Sequence, residues 1–145
     1  MILLQDQREK HGHHTSVEDY CEKNGIVIVR KRLNVGDYML PHGKISIDTK
    51  QHLLELASDL YRDKLEFNKK YKKCYQDGIK LIVLVEQPIS SIKEILEWKS
   101  EHTKISGRQI VDMMHTLKVS YGISFKFCQP KDTGQIVISL LMGQN

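Results

Sequence analysis

Val35-Gly36-Asp37-Tyr38 precedes Ile45-Ser46-Ile47-Asp48-Thr49-Lys50 in this sequence, and the pair is its strongest fold signal. The second segment alternates apolar and polar residues, which predicts a β-strand with Asp48 and Lys50 on the same face. Proline and glycine between the two segments are typical of a turn. A hairpin of this kind folds Asp37 back beside Asp48 and brings Lys50 within reach of both carboxylates.

These three side chains are the residue types that metal-dependent cleavage of a phosphodiester bond needs. Two carboxylates brought together repel each other unless a positive charge lies between them. Oxygen ligands without cysteine or histidine favour Mg²⁺ or Mn²⁺ over zinc. Lys50 adds a positive charge that orients water or stabilises the pentavalent phosphorane. The alternative interpretation is a surface hairpin held by a salt bridge between Asp48 and Lys50.

The first apolar segment, at residues 2–5, predicts a short buried strand that delivers further charged residues at its end. Glu9 is a candidate third metal ligand, and Asp6 is a supporting acidic residue. The alternative interpretation is that Glu9 and Asp6 are solvent-exposed polar residues at the end of the strand. Arg8 is a candidate phosphate contact, or it pairs with Asp6.

The rest of the chain alternates between strand and helix patterns. Strands are predicted at 26–33, 35–40, 44–49, 80–86 and 123–128. Helices are predicted at 16–21, 51–76, 90–101, 107–120 and 133–142. Ser16 is expected to cap the first of these helices. This alternation predicts an α/β fold, with helices flanking a mixed central sheet.

The helix predicted after Lys50 has two polar features. Gln51, Glu55 and Asp59 recur at helical spacing, so this stripe should overhang the proposed site. Further along, basic residues interleave with aromatic ones, a pattern that suits a DNA backbone. A solvated helix face is the alternative. The basic residues are Arg62, Lys64, Lys69, Lys70, Lys72 and Lys73, and the aromatic ones are Phe67, Tyr71 and Tyr75.

Composition sets the outer bounds. With 145 residues, 40% of them hydrophobic, the chain can bury one core, and we expect a single domain over residues 1–145. No apolar run approaches the roughly 18 residues of a membrane span. Three widely separated cysteines fit reduced thiols in a soluble cytoplasmic or nucleoid-associated protein. The segment His11-Gly12-His13-His14 lacks the spacing of a preorganised zinc pair, so we interpret it as a polar loop.

With these motifs in order, the chain resembles the XPF-type (excision-repair) nuclease domain, a branch of the PD-(D/E)XK restriction-endonuclease-like superfamily. The resemblance covers nearly all of the sequence. The family's motifs are matched by Asp6-Gln7-Arg8-Glu9, Gly36-Asp37-Tyr38 and Asp48-Thr49-Lys50. Asp48 and Thr49 replace the usual glutamate and arginine. The acid expected four residues after the lysine is replaced by leucine, with Glu55 next to it.

The resemblance implies a restriction-endonuclease-like fold and a Mg²⁺-dependent DNA endonuclease that acts at branched or flap structures. It implies that Asp37, Asp48 and the carbonyl of Thr49 hold the metal, and that Lys50 positions water. Arg62 is similar to the arginine of the family's Gly-Arg-Phe stretch, and we expect it to bind DNA. A homodimer or a partner chain, joined through the helices after Glu86, is implied as well.

Two other functions stay open at this point. One is a catalytically inactive DNA-binding or scaffolding module, and the other is a linear-duplex nuclease of restriction or exonuclease type. The tandem helix-hairpin-helix module that often follows such domains has no counterpart in the sequence, so we expect DNA recognition within this domain, its dimer mate or a partner chain.

Overall fold

The structure, a computed structural model, describes residues 1–8, 15–62 and 64–144. Its strands are β1 (Ile2–Asp6), β2 (Val27–Lys31), β3 (Tyr38–Met39), β4 (Ile45–Lys50), β5 (Lys80–Val85) and β6 (Ser124–Phe127). Its helices are α1 (Thr15–Lys23), α2 (Leu53–Arg62), α3 (Lys64–Gln76), α4 (Ile92–Leu96), α5 (Gly107–Tyr121) and α6 (Thr133–Leu141), with a 3₁₀ helix at Pro130–Asp132.

The six strands form one mixed sheet in the order β2-β1-β3-β4-β5-β6. The central strand β3 runs antiparallel to both of its neighbours, β1 and β4. The pairs β1/β2, β4/β5 and β5/β6 are parallel. This arrangement confirms the predicted α/β fold with a mixed central sheet.

Helices cover the sheet on both faces, which creates two cores. On one face, side chains of α1 and α6 pack with Leu3, Ile47 and Leu84. On the other, side chains of α2, α3 and α5 pack with Leu81 and Val83. Strand β5 is buried on both faces, as expected for its continuous apolar sequence.

Several elements are shorter than the sequence pattern predicts. The strand predicted at 35–40 contains only two strand residues. The helix predicted at 51–76 is described as α2 and α3, on either side of residue 63, which lies outside the described residues. The helix predicted at 90–101 is the five-residue α4. Its end tightens into a turn, because the backbone N–H of Trp98 donates to the Ile95 carbonyl.

The expected capping role of Ser16 is wrong. Ser16 lies inside α1, and its Oγ donates to the Lys131 carbonyl at 3.1 Å and accepts from the Gly134 N–H at 3.1 Å. The Gly134 N–H belongs to the first turn of α6, where N–H groups have no partner within the helix. Ser16 therefore joins α1 to the start of α6, a tertiary contact that sequence spacing does not reveal.

Two expectations from composition concern the described residues as a whole. Cys21, Cys74 and Cys128 are free and buried. No helix in the described part of the chain has both the length and the apolar character needed to cross a membrane.

Candidate functional site

Asp37 is fixed between two strands by its backbone and its side chain. Its N–H donates to the Ile47 carbonyl of β4 at 2.7 Å, and its own carbonyl accepts from the Asp6 N–H of β1 at 2.8 Å. The carboxylate Oδ2 accepts from the Thr49 N–H at 2.7 Å and from Thr49 Oγ1 at 2.8 Å. The Asp37 side chain is thereby held against β4, next to Asp48.

Gly36 makes this placement possible. Its φ is +77°, in the left-handed region that glycine adopts without strain. A Cβ atom at this position would overlap Ser46 Oγ and lie 2.9 Å from the Ile47 carbonyl oxygen. The same Ile47 oxygen accepts the Asp37 N–H. A side chain at position 36 would therefore displace the bond that positions Asp37.

We expect Gly36→Ala to lower the free energy of unfolding by about 3 kcal/mol. The left-handed φ accounts for about 1 kcal/mol, and forcing a methyl group into an occupied space adds about 1–3 kcal/mol. Denaturant unfolding measures the loss. Gly25→Ala is the control, because Gly25 has φ +67° but nothing within 4 Å of an added Cβ, so only the conformational part applies. Equal losses in the two variants would contradict the close-approach argument.

Asp48 and Lys50 share a face of β4 and meet a third charged residue, Asp59 of α2. Lys50 Nζ lies 3.2 Å from Asp48 Oδ2 and 2.5 Å from Asp59 Oδ2. The side chains of Lys50, Asp48 and Asp59 are 10%, 17% and 20% exposed. The three form a nearly enclosed network of one ammonium and two carboxylates.

Burial sets the electrostatics of this network. It raises the pKa of the Asp48 carboxyl above its ordinary value, and the attraction of Lys50 offsets only part of that effect. Burial by itself would lower the pKa of the Lys50 ammonium, but Asp48 and Asp59 outweigh it and raise that pKa. Lys50 is therefore protonated at neutral pH, and added positive charge would favour ionised Asp48.

A cavity of about 200 Å³ lies above these residues. Its lining includes six residues singled out from the sequence, namely Asp6, Arg8, Asp37, Asp48, Lys50 and Lys70. Cavities of about 430 and 950 Å³ lie elsewhere in the described structure. We take the small one as the candidate site because the charged network opens into it, and neither of the larger cavities contains that network.

Asp6 and Arg8 stand at the side of this cavity and hold each other. The Asp6 carboxylate accepts from Arg8 Nε at 2.8 Å and from the Leu33 N–H at 3.0 Å, while Arg8 Nη2 donates to the Leu33 carbonyl at 2.8 Å. Both side chains thus fasten the segment after β2. Glu9 and the segment 11–14 lie outside the described residues.

Four lysines of α3 lie at the protein surface beside the cavity. Lys69, Lys70, Lys72 and Lys73 are all exposed, and Lys70 also lines the cavity. Lys73 Nζ lies 3.5 Å from Asp77 Oδ2, so part of its charge is compensated. The basic face of α3 therefore extends from the cavity across the surface. The side chains of Arg62, Lys64 and Phe67 lie outside the described part of the structure.

Two residues of the site have roles that sequence reasoning missed. The spacing of Asp59 from Glu55 predicts the correct helix face, but it does not reveal Lys50 as the partner of Asp59. The sequence pattern places Tyr71 among the aromatic residues of a DNA-facing helix, yet Tyr71 is buried and lines the cavity. Burial, together with the charge of Asp48, raises the pKa of the Tyr71 phenol, so the hydroxyl stays neutral.

The donor chemistry of the site fits a hard divalent cation. No group of three His, Cys, Asp or Glu residues with metal-site geometry occurs among the residues that the structure describes. Asp37 and Asp48 both line the cavity, and two ionised carboxylates side by side repel each other unless a positive charge lies between them. Mg²⁺ is commonly held by one or two carboxylates, with water and substrate phosphates completing its coordination. Two adjacent carboxylates at a cavity meet that requirement.

Sequence comparison identifies the family. The ERCC4 domain matches residues 5–140. The chain belongs to the ERCC4 domain family. This membership confirms the resemblance to XPF-type domains that the three motifs indicate. Comparison of this ERCC4 domain with curated proteins gave no match.

Solved structures agree with that assignment at the level of the fold. XPF from Aeropyrum pernix matches with a TM-score of 0.72, and XPF from Aeropyrum pernix in complex with DNA matches with 0.70. In both cases the identity is 21%, and the match covers 97% of this ERCC4 domain and 63% of the other chain. The chain thus spans less than two thirds of the length of these XPF structures, which establish its fold.

Proposed function

We propose that this ERCC4 domain is a divalent-metal-dependent DNA endonuclease. The observation that carries the proposal is the convergence of Asp37, Asp48 and Lys50 on one cavity of a protein with the ERCC4 fold. A surface hairpin held by a salt bridge would not need the buried Asp37 carboxylate, which is anchored by two bonds to Thr49.

Asp37 and Asp48 would hold Mg²⁺ or Mn²⁺, with the Thr49 carbonyl as a further predicted ligand. When bound, the cation supplies Lewis acidity, which activates water and offsets negative charge on the scissile phosphate. Because the pKa of Lys50 is raised, its ammonium acts as a hydrogen-bond donor and not as a base. It orients the attacking water or stabilises the phosphate oxygens as their charge increases.

DNA would reach this cavity along the basic face of α3. Lys70 at the cavity rim and Lys69 and Lys72 beyond it offer a row of charges to a phosphate backbone. We also propose a preference for branched or flap DNA, and the XPF-type motifs of the sequence support it. The Aeropyrum pernix XPF structure in complex with DNA supports DNA as the ligand.

Cleavage of labelled flap, fork, four-way and linear duplex DNA, each with Mg²⁺ or EDTA, tests this function. We expect cutting of flap or fork DNA in Mg²⁺ and none in EDTA. Binding without cutting in Mg²⁺ and Mn²⁺ would instead indicate the inactive scaffolding module. Equal cutting of plain linear duplex would indicate a nuclease of restriction or exonuclease type.

The helices after Glu86 are the proposed contact with a second copy or a partner chain. A groove of about 950 Å³ lies between α4, α5 and β6, and its floor includes Ile95, Val111 and Phe125. Ile92 is 60% exposed at its edge. Apolar surface of this kind marks an interaction site. Light scattering over a range of protein concentrations distinguishes a dimer, and a monomer at all concentrations would rule out self-association.

A further inference from the structure

Lys50 is held more closely by Asp59 than by its neighbour Asp48. The Nζ atom lies 2.5 Å from Asp59 Oδ2 and 3.2 Å from Asp48 Oδ2. Asp59 comes from α2, a different element from the strand that carries Lys50, and its side chain is mostly buried. A charge-assisted bond of this length between two elements fixes the position of the ammonium.

A divalent cation at Asp37 and Asp48 would change the balance of charge around Lys50. Asp48 would then be shared between the cation and the ammonium, two positive groups that repel each other at close range. Asp48 alone would have to bind the cation and hold Lys50 against that repulsion at the same time. A second carboxylate on the far side of the ammonium removes that conflict.

We propose that Asp59 is a positioning residue that holds the Lys50 ammonium in the cavity and compensates its charge, so that a divalent cation and the ammonium occupy one site. The inference rests on the proposed function, because it assumes a cation at Asp37 and Asp48. Glu55, the neighbouring acidic residue of α2, does not contact Lys50 in this way. Glu55 Oε2 instead accepts from the Gln51 N–H at 3.1 Å, at the start of α2.

Asp59→Asn tests the proposal, because it removes the charge and keeps the size of the side chain. Calorimetric titration with Mn²⁺ should show a roughly 10- to 100-fold loss of cation affinity, the range found for residues that support metal ligands. Single-turnover cleavage at saturating Mn²⁺ should slow by a similar factor. DNA affinity should stay near that of the wild type, since the Asp59 side chain is mostly buried against Lys50 and lies on α2, whereas the basic face belongs to α3.

Glu55→Gln is the matched control, with the same change of charge on the same helix. It should bind Mn²⁺ and cleave DNA like the wild type, because Glu55 makes its hydrogen bond to Gln51. If Asp59→Asn also behaves like the wild type, or if both variants lose affinity equally, the positioning role is overturned and the proposed function stands. A wild-type protein that neither binds Mn²⁺ nor cleaves DNA would overturn both.

Thermal unfolding shows whether each variant is folded. Asp59→Glu is a second control, which separates the loss of charge from the loss of side-chain position. It keeps the negative charge, so it should retain most of the Mn²⁺ affinity. Its longer side chain displaces the ammonium, so its cleavage rate should fall below that of the wild type. Loss of Mn²⁺ affinity as large as that of Asp59→Asn would overturn charge compensation.

Discussion

Asp48→Asn should abolish cleavage while the protein stays folded and retains DNA. The substitution removes one of the two carboxylates that converge on the cavity, and metal-assisted catalysis supplies several kcal/mol of transition-state stabilisation. We therefore expect the single-turnover rate on flap DNA to fall by about three orders of magnitude or more. Fluorescence anisotropy should show DNA affinity close to that of the wild type. Unchanged turnover would remove Asp48 from the active site.

The same variant should be more stable than the wild type at neutral pH in EDTA. Because burial raises the pKa of Asp48, the folded state keeps its proton at pH values above 3.8, where the unfolded chain has lost it. The stability due to this group is complete below that pH and decreases as the pH rises through the folded-state pKa. Asn removes the penalty of the ionised form. Each kcal/mol regained raises the melting temperature by about 2–4 °C.

Metal dependence of the melting temperature separates the functional from the structural effect. Mg²⁺ should raise the melting temperature of the wild type, since a ligand that binds only the folded state stabilises it. It should leave that of Asp48→Asn unchanged. Asp19→Asn, at an exposed position of α1, is the control and should respond to Mg²⁺ like the wild type. A lower melting temperature of Asp48→Asn in EDTA would show that the carboxylate stabilises the fold.

Replacing Lys69, Lys70, Lys72 and Lys73 with alanine should weaken DNA binding about a hundredfold at low salt, whatever the DNA sequence. The logarithm of the binding constant for duplex DNA falls linearly with the logarithm of the salt concentration, and each lost phosphate contact makes that slope shallower by about 0.9. Lys73 is partly compensated by Asp77, so we expect the slope to change by less than four full contacts would give. Binding titrations at several salt concentrations measure both quantities.

A second quadruple variant controls for net charge. Its four lysines are exposed and lie away from α3, and alanine at these positions removes the same total charge. They are Lys93, Lys99, Lys104 and Lys131. This variant should bind DNA nearly as tightly as the wild type. If the two variants lose equal affinity for DNA, the basic face of α3 is only a solvated surface and DNA binds elsewhere on the protein.

Local patterns predicted much of the fold because they report burial directly. The alternation in residues 44–50 is the alternation of the faces of β4, and the apolar run after Lys80 is a strand covered on both sides. Lengths were less predictable. The two-residue β3 and the five-residue α4 end where tertiary contacts or turns replace the regular hydrogen bonds, and residue types alone do not mark those points.

The candidate site divides in the same way. Asp37, Asp48 and Lys50 lie on segments joined by a short turn, so their proximity follows from local geometry. Tyr71 is 21 residues beyond Lys50, on a different helix, and enters the cavity only because α3 packs over the sheet. A tyrosine is compatible both with a DNA-facing helix and with a buried core, so residue type alone does not show that Tyr71 is buried.

By itself, the sequence determined the alternation of strands and helices and the placement of the two carboxylates with their lysine. These are short-range properties, set by backbone sterics and by the side-chain period of each element. Only the tertiary structure decided that Asp59 holds Lys50, that Arg8 donates to the Leu33 carbonyl and that Ser16 joins two helices. Such pairs depend on how separate elements pack, and packing is determined by the whole core and not by any one segment.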